Sequence, residues 1–185
     1  MNERKWQLDA QNVINRCNSN EDHNTIPVNA CVGSGKTNVA SYALGKFIQD
    51  GIASGHKTIQ MFVTPRIKLC KQQSDSIASY IKEKFGLEAK KDFDIIRKDC
   101  SVTENRLDLR AETFTSNHAI LVVCDESLWG VDGNNEKDPE IRWHAWLGFF
   151  NRLEKYGYKF GNCIFDEAHN FTNNHDKIFG KEAAA

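Results

Sequence analysis

Five consecutive residues, Gly33-Ser34-Gly35-Lys36-Thr37, are the ones whose types and order could do chemistry. Glycines at the first and third places let the backbone turn tightly and approach a ligand with no Cβ in the way. Successive N–H groups in such a turn converge on an anion. The apolar run Ile26 to Val32 reads as a strand leading in, and Val39 to Ile52 as a helix leading out, whose N-terminal dipole lies behind the turn. Lys36 is then placed to reach the β- and γ-phosphates of a triphosphate, and Thr37 to give its hydroxyl to Mg²⁺. The segment is read as a phosphate-binding loop, with Val32, Gly33, Ser34, Gly35, Lys36, Thr37 and Asn38 around ATP.

A magnesium-bound triphosphate also needs a carboxylate at the end of a neighbouring strand. Two apolar runs end in Asp-Glu: Ile120 to Glu126, and Cys163 to Glu167, the latter continuing into Ala168-His169. Hydrophobicity alone favours the first. In the second, Asp166 would order Mg²⁺ through water and Glu167 would orient or deprotonate the attacking water. His169 would stand near the γ-phosphate.

These residues must be positioned by a scaffold, and the pattern of the chain says which. Apolar runs alternate with longer amphipathic stretches, which predicts an α/β fold with a mainly parallel sheet. Strands are expected at Thr58 to Thr64, Phe93 to Ile96, Ala119 to Cys124 and Asn162 to Phe165. A helix is expected from Pro65 to about Phe85, with Ile67, Leu69, Ile77, Tyr80 and Ile81 inward. Another is expected from Glu140 to Tyr156, where Trp143, Trp146, Phe149 and Phe150 read as core or contact surface. Arg97 to Asn117 is expected to include loop, and Asp132 to Pro139 is turn-rich. In that loop Lys137 stands where a calcium loop requires glycine.

Thr64 reads as an N-cap and Pro65 as a first helical residue. Arg66 and Lys68 beside that helix start would attract a backbone phosphate. On local sequence a capped surface helix with solvated cations reads equally well.

The phosphate loop and Asp166-Glu167-Ala168-His169 together resemble the superfamily 2 helicases and translocases, whose motif I often opens with alanine, here Ala30, and whose motif II reads DEAH. The phrasing resembles the type III restriction-like and phage or bacterial DNA helicase group more than the spliceosomal proteins. Val63-Thr64-Pro65-Arg66, with Gln72 downstream, is similar to motif Ia. Trp6 to Gln11 is similar to the segment whose glutamine reads adenine, with Gln11 preferred and Gln7 in reserve.

The resemblance implies a P-loop NTPase of RecA-like fold, with helices on both faces of the sheet. It implies ATP and Mg²⁺ as cofactors, with Lys36, Asp166, Glu167 and His169 catalytic, and Thr37 and Asp166 holding the metal. It implies nucleic acid as partner, a single strand or duplex junction with DNA favoured, met by Thr64, Pro65, Arg66 and Lys68. Asp125 and Glu126 are then demoted to the loop before motif II. The 19 residues after Asp166 (167–185) show no Ser/Thr-Ala-Thr segment. The expectation is therefore one N-terminal RecA-like domain over residues 1–185, without its second motor domain and weak in hydrolysis alone. Rival expectations are a P-loop ATPase that does not act on nucleic acid, and a non-hydrolysing helicase-like domain that binds a partner.

Composition bounds these readings. With 185 residues, 40% of them hydrophobic, the chain can build one substantial core. A net charge of −1 means that any nucleic-acid contact must come from a local basic patch. Six scattered cysteines form no Cys-x-x-Cys pair, so no structural metal is expected. With no signal peptide or membrane-length apolar run, the expected location is intracellular, including a phage- or virus-encoded protein in host cytoplasm.

Overall fold

The computed structural model describes residues 3–18, 26–31, 33–98, 114–125 and 139–167, with only the helical backbone over 139–146. The expectations for Val32, Glu126, Ala168, His169 and the side chains of Trp143 and Trp146 lie outside the described residues. Helices α1 (Lys5–Asn18), α2 (Lys36–Ser54), α3 (Ile67–Phe85) and α4 (Pro139–Lys155) accompany strands β1 (Lys57–Thr64), β2 (Asp94–Lys98), β3 (His118–Cys124) and β4 (Tyr158–Phe165). The strands form one sheet in the order β2-β3-β1-β4, and every pairing is parallel.

Side chains alternate across a strand, and this alternation sorts the core into two layers. Phe62, Ile120, Val122 and Cys124 face α2 and α3, where Leu44, Ile48, Ile77 and Ile81 meet them. Ile59, Met61, Val63, Ala119, Leu121 and Val123 face Phe149 and Leu153 of α4. Both faces of β1 and β3 are therefore dry, which is why these strands read as near-continuous apolar runs. The aromatics of α4 are core at Phe149, which is buried, with Phe150 packed against the same layer.

Three expectations are corrected. Ile26 to Cys31 forms no strand. Pro27 has no N–H to give a ladder, both edges of β1 are taken by β3 and β4, and Ile26 packs instead against Ile14, Val39 and Ala43. Helix α3 starts at Ile67, with extended Arg66 as N-cap and no side-chain cap bond. Thr64 is thus the last residue of β1 rather than a cap. Finally, β4 starts four residues early, at Tyr158, because Tyr158, Lys159 and Phe160 pair with Lys57, Thr58 and Ile59 before a register shift near Gly161. A Cβ on Gly161 would collide with the Phe47 ring.

Two amide side chains fasten α2 to the sheet at mid-length. Gln60, wholly buried on β1, donates to Leu44 O at 2.8 Å. Asn162 on β4 donates to Ala43 O at 3.1 Å and to Gln60 Oε1 at 3.0 Å.

The N-terminal helix is held by a charge cluster. The Glu3 carboxylate accepts from Tyr80 Oη, Gln11 Nε2 and Lys84 Nζ, each at 2.6 Å. Burial opposes the charged form, but the bonds from Lys84, Tyr80 and Gln11 outweigh it and hold the Glu3 carboxyl at about 2, against 4.5 ordinarily. A depressed carboxyl gives stability that is complete above pH 4.5 and is lost as pH falls from 4.5 towards 2. Its worth is on the order of 2 kcal/mol. Glu3→Gln is expected to remove this increment at pH 7 and to flatten stability against pH in that window, read by urea unfolding. An unaltered pH profile would show that the cluster does not anchor α1.

Among the described residues no helix is long and apolar enough to cross a membrane.

Candidate functional site

In parallel sheets with helical crossovers, ligands collect beyond the carboxyl ends of the strands. At that edge, Asp166 follows β4 directly and its N–H donates to Val63 O on β1 at 2.8 Å. The loop at Gly33 to Gly35 opens α2 beside it. Both glycines take the left-handed backbone region, with φ of 73° and 91°, and Gly35 is the helix N-cap. A Cβ at Gly35 would also strike the Gln7 amide. Ser34 N–H donates to Cys31 O at 3.2 Å, closing the turn.

Lys36 unites the two halves of the site. Its Nζ donates to Ala30 O at 3.0 Å, across the mouth of the loop, and lies 3.7 Å from Glu167 Oε1. Glu167 has φ of 54°, a left-handed conformation for a residue with a side chain. Such a backbone costs about 1 kcal/mol and is kept where the surroundings over-determine it. Lys36 therefore meets the Asp-Glu pair that follows β4. Asp125, after β3, is buried next to Cys124.

Burial pushes the Asp166 carboxyl above its ordinary range, the Glu167 charge adds to the push, and Lys36 and a backbone hydrogen bond pull against it. Two adjacent carboxyl groups facing one lysine would gain from another cation.

The residues fit a nucleotide phosphate with Mg²⁺. Ser34 Oγ in the loop and Thr64 Oγ1 at the end of β1 are buried hydroxyls with no hydrogen-bond partner. Unpaired buried polar atoms are costly, and an added ligand oxygen or its water would satisfy them. The left-handed glycines, the free helix start and Lys36 suit phosphate oxygens. Thr37 and Asp166 offer a hydroxyl and a carboxylate to a cation that keeps much of its water. Among the described residues no three His, Cys, Asp or Glu side chains gather to hold a metal directly.

The structure separates the two N-terminal glutamines. Gln7, Gln11 and Ile14 follow the i, i+4, i+7 spacing of one helix face, and all three are buried. Gln11 is bound to Glu3 and Tyr80 (2.6 and 3.3 Å), away from the loop. Gln7 donates to Gly35 O at 3.1 Å and accepts from Arg4 N–H at 2.8 Å. One helical turn, about 5.4 Å, decides which glutamine reaches the loop, and it is the reserve residue.

Of the four positions expected at nucleic acid, Arg66 and Lys68 are exposed and Pro65 half-buried, whereas Thr64 is 0% exposed. One contact went unread in the sequence: Gln73 of α3 donates to Asp166 Oδ2 at 3.2 Å.

The chain matches the family described as Type III restriction enzyme, res subunit, over residues 1–184. No curated protein and no solved structure gives a match. With the match spanning nearly the whole chain, and with a parallel α/β sheet behind a phosphate loop, the chain belongs to the type III restriction enzyme res subunit family and is a helicase-like, ATP-binding P-loop domain of RecA-like fold.

Proposed function

We propose that the chain is the ATP-binding half of a superfamily 2 motor that couples ATP hydrolysis to movement on nucleic acid, DNA before RNA. The observation that carries this reading is the meeting of Lys36, from the phosphate loop, with the Asp166-Glu167 pair after β4. Gly33, Ser34, Gly35, Lys36, Thr37 and Asn38 hold the phosphates, and Gln7 replaces Gln11 as the glutamine nearest the nucleotide. Thr37 and Asp166 hold hydrated Mg²⁺, which supplies charge neutralisation when bound. Glu167 takes the water proton, and His169 belongs to the same motif by resemblance alone. In such a motor a second RecA-like domain supplies the arginine that completes the transition state. The setting is intracellular, in keeping with the absence of a disulfide among the described residues.

Salt-dependent binding to labelled single strands tests the nucleic-acid half of the proposal. Neutralised phosphates release counterions, so affinity falls as salt rises. Arg66→Ala with Lys68→Ala is expected to weaken binding evenly across sequences and to reduce the logarithmic salt slope by about 1 to 2. Binding that ignores salt, or a double variant with the wild-type slope, would leave a P-loop ATPase that does not act on nucleic acid. DNA and RNA strands run in parallel decide between the two partners.

A further inference from the structure

Asp166 is placed by more than its strand. Its backbone is fixed by the bond from its N–H to Val63 O, and its side chain by the bond from Gln73 Nε2 to Oδ2 at 3.2 Å. The two residues stand 93 positions apart, so the contact is purely tertiary. Gln73 occupies the second turn of α3 and is half-buried between exposed Gln72 and buried Ser74. Cys70, Ser74 and Ile77, all buried, clamp this stretch of α3 onto the sheet. The backbone position of Gln73 is therefore set by core packing, which brings its amide within reach of the carboxylate.

The chemistry of the pair is informative. An ionised carboxylate only accepts, so the amide must present its N–H₂ and not its oxygen. A neutral donor orients the carboxylate without cancelling its charge, whereas a lysine at the same place would compete with a cation. The sheet-facing side of α3 thus supplies what a metal-ordering carboxylate needs from its surroundings.

We propose that Gln73 is a positioning residue for Asp166, holding Oδ2 so that the carboxylate meets the hydrated Mg²⁺ of a bound nucleotide in a fixed orientation. This rests on the nucleotide-site reading above.

The test is ATP binding by the full chain, followed calorimetrically across a Mg²⁺ titration and also without Mg²⁺. Gln73→Met keeps length and bulk but has no donor. Gln73→Asn keeps the donor but falls one methylene short, and covers the case in which the methionine variant misfolds. Each is expected to raise the Mg²⁺ concentration for half-maximal binding about threefold to tenfold, the worth of one hydrogen bond, with Mg²⁺-free binding unchanged. Ser76→Ala, on the exposed side of the same helix, shifts neither quantity. A folded Gln73 variant with wild-type Mg²⁺ dependence overturns the role. So does an equal loss of Mg²⁺-free binding, which marks general damage to the site. If wild-type ATP binding is itself indifferent to Mg²⁺, the nucleotide-site reading falls and takes the role of Gln73 with it.

Discussion

Lys36→Ala is expected to lower ATP affinity at least about a hundredfold, the worth of two charge-assisted hydrogen bonds to phosphate. Its ammonium stands between the loop carbonyl of Ala30 and the Glu167 carboxylate, where phosphate oxygens would arrive. Removing it also leaves the Asp166-Glu167 pair without its cation, and the pull of Lys36 against the raised Asp166 carboxyl disappears. Like-charge repulsion at the metal side then adds to the loss on the phosphate side. The side chain is partly exposed and lies outside the hydrophobic layers, so the melting temperature should hardly move. Calorimetric titration beside a thermal melt separates these effects. Affinity within a few-fold of wild type would mean that the loop does not grip the triphosphate through this lysine.

Glu167→Gln should do the opposite to binding and turnover. The amide keeps size and shape but takes no proton, so strand-stimulated hydrolysis, measured with the second motor domain present, should fall by about 10² to 10⁴. ATP binding should persist or tighten, because one negative charge beside the phosphates is gone. The left-handed backbone at Glu167 suits glutamine no worse than glutamate, so the loss is chemical and not conformational. Glu126→Gln is the comparison. If it stops turnover while Glu167→Gln does not, the acid pair after β3 is the working one, and the meeting of Lys36 with Glu167 is incidental.

The two strands also show what apolar patterning can and cannot rank. β3 is the more hydrophobic because it sits inside the sheet between β2 and β1, dry on both faces. β4 is an edge strand and half-exposed, with Phe160 and Phe165 open to solvent. Hydrophobicity reported depth in the sheet and was silent on which acid faces the lysine. The helices and the strands β1 and β3 were legible because period 3.6 and dry two-faced burial leave plain patterns. The loop was legible because its glycines meet a local backbone demand. The run before it was misread: Ile26 and Val28 are apolar enough for a strand, but pairing depends on a neighbour that local sequence does not reveal. Gln73 was illegible for the same kind of reason, since nothing within its own helix signals a carboxylate 93 residues away. Gln7 and Gln11 share a helix face, and only the level of α1 against α2 tells them apart.

The fastening of α2 through Gln60 and Asn162 bears on how such a domain can transmit force. The phosphate loop is the leading end of α2, and bonds to the Ala43 and Leu44 carbonyls tie that helix to two strands at once. A pull on the loop cannot be absorbed by the helix sliding along the sheet, because both amides would have to let go together. Loop, helix and sheet then behave as one stiff lever. The compliance then lies in the connections at the carboxyl edge, and in the motor proposed above a stroke begun at the γ-phosphate would reach a nucleic-acid side with little lost to internal slip.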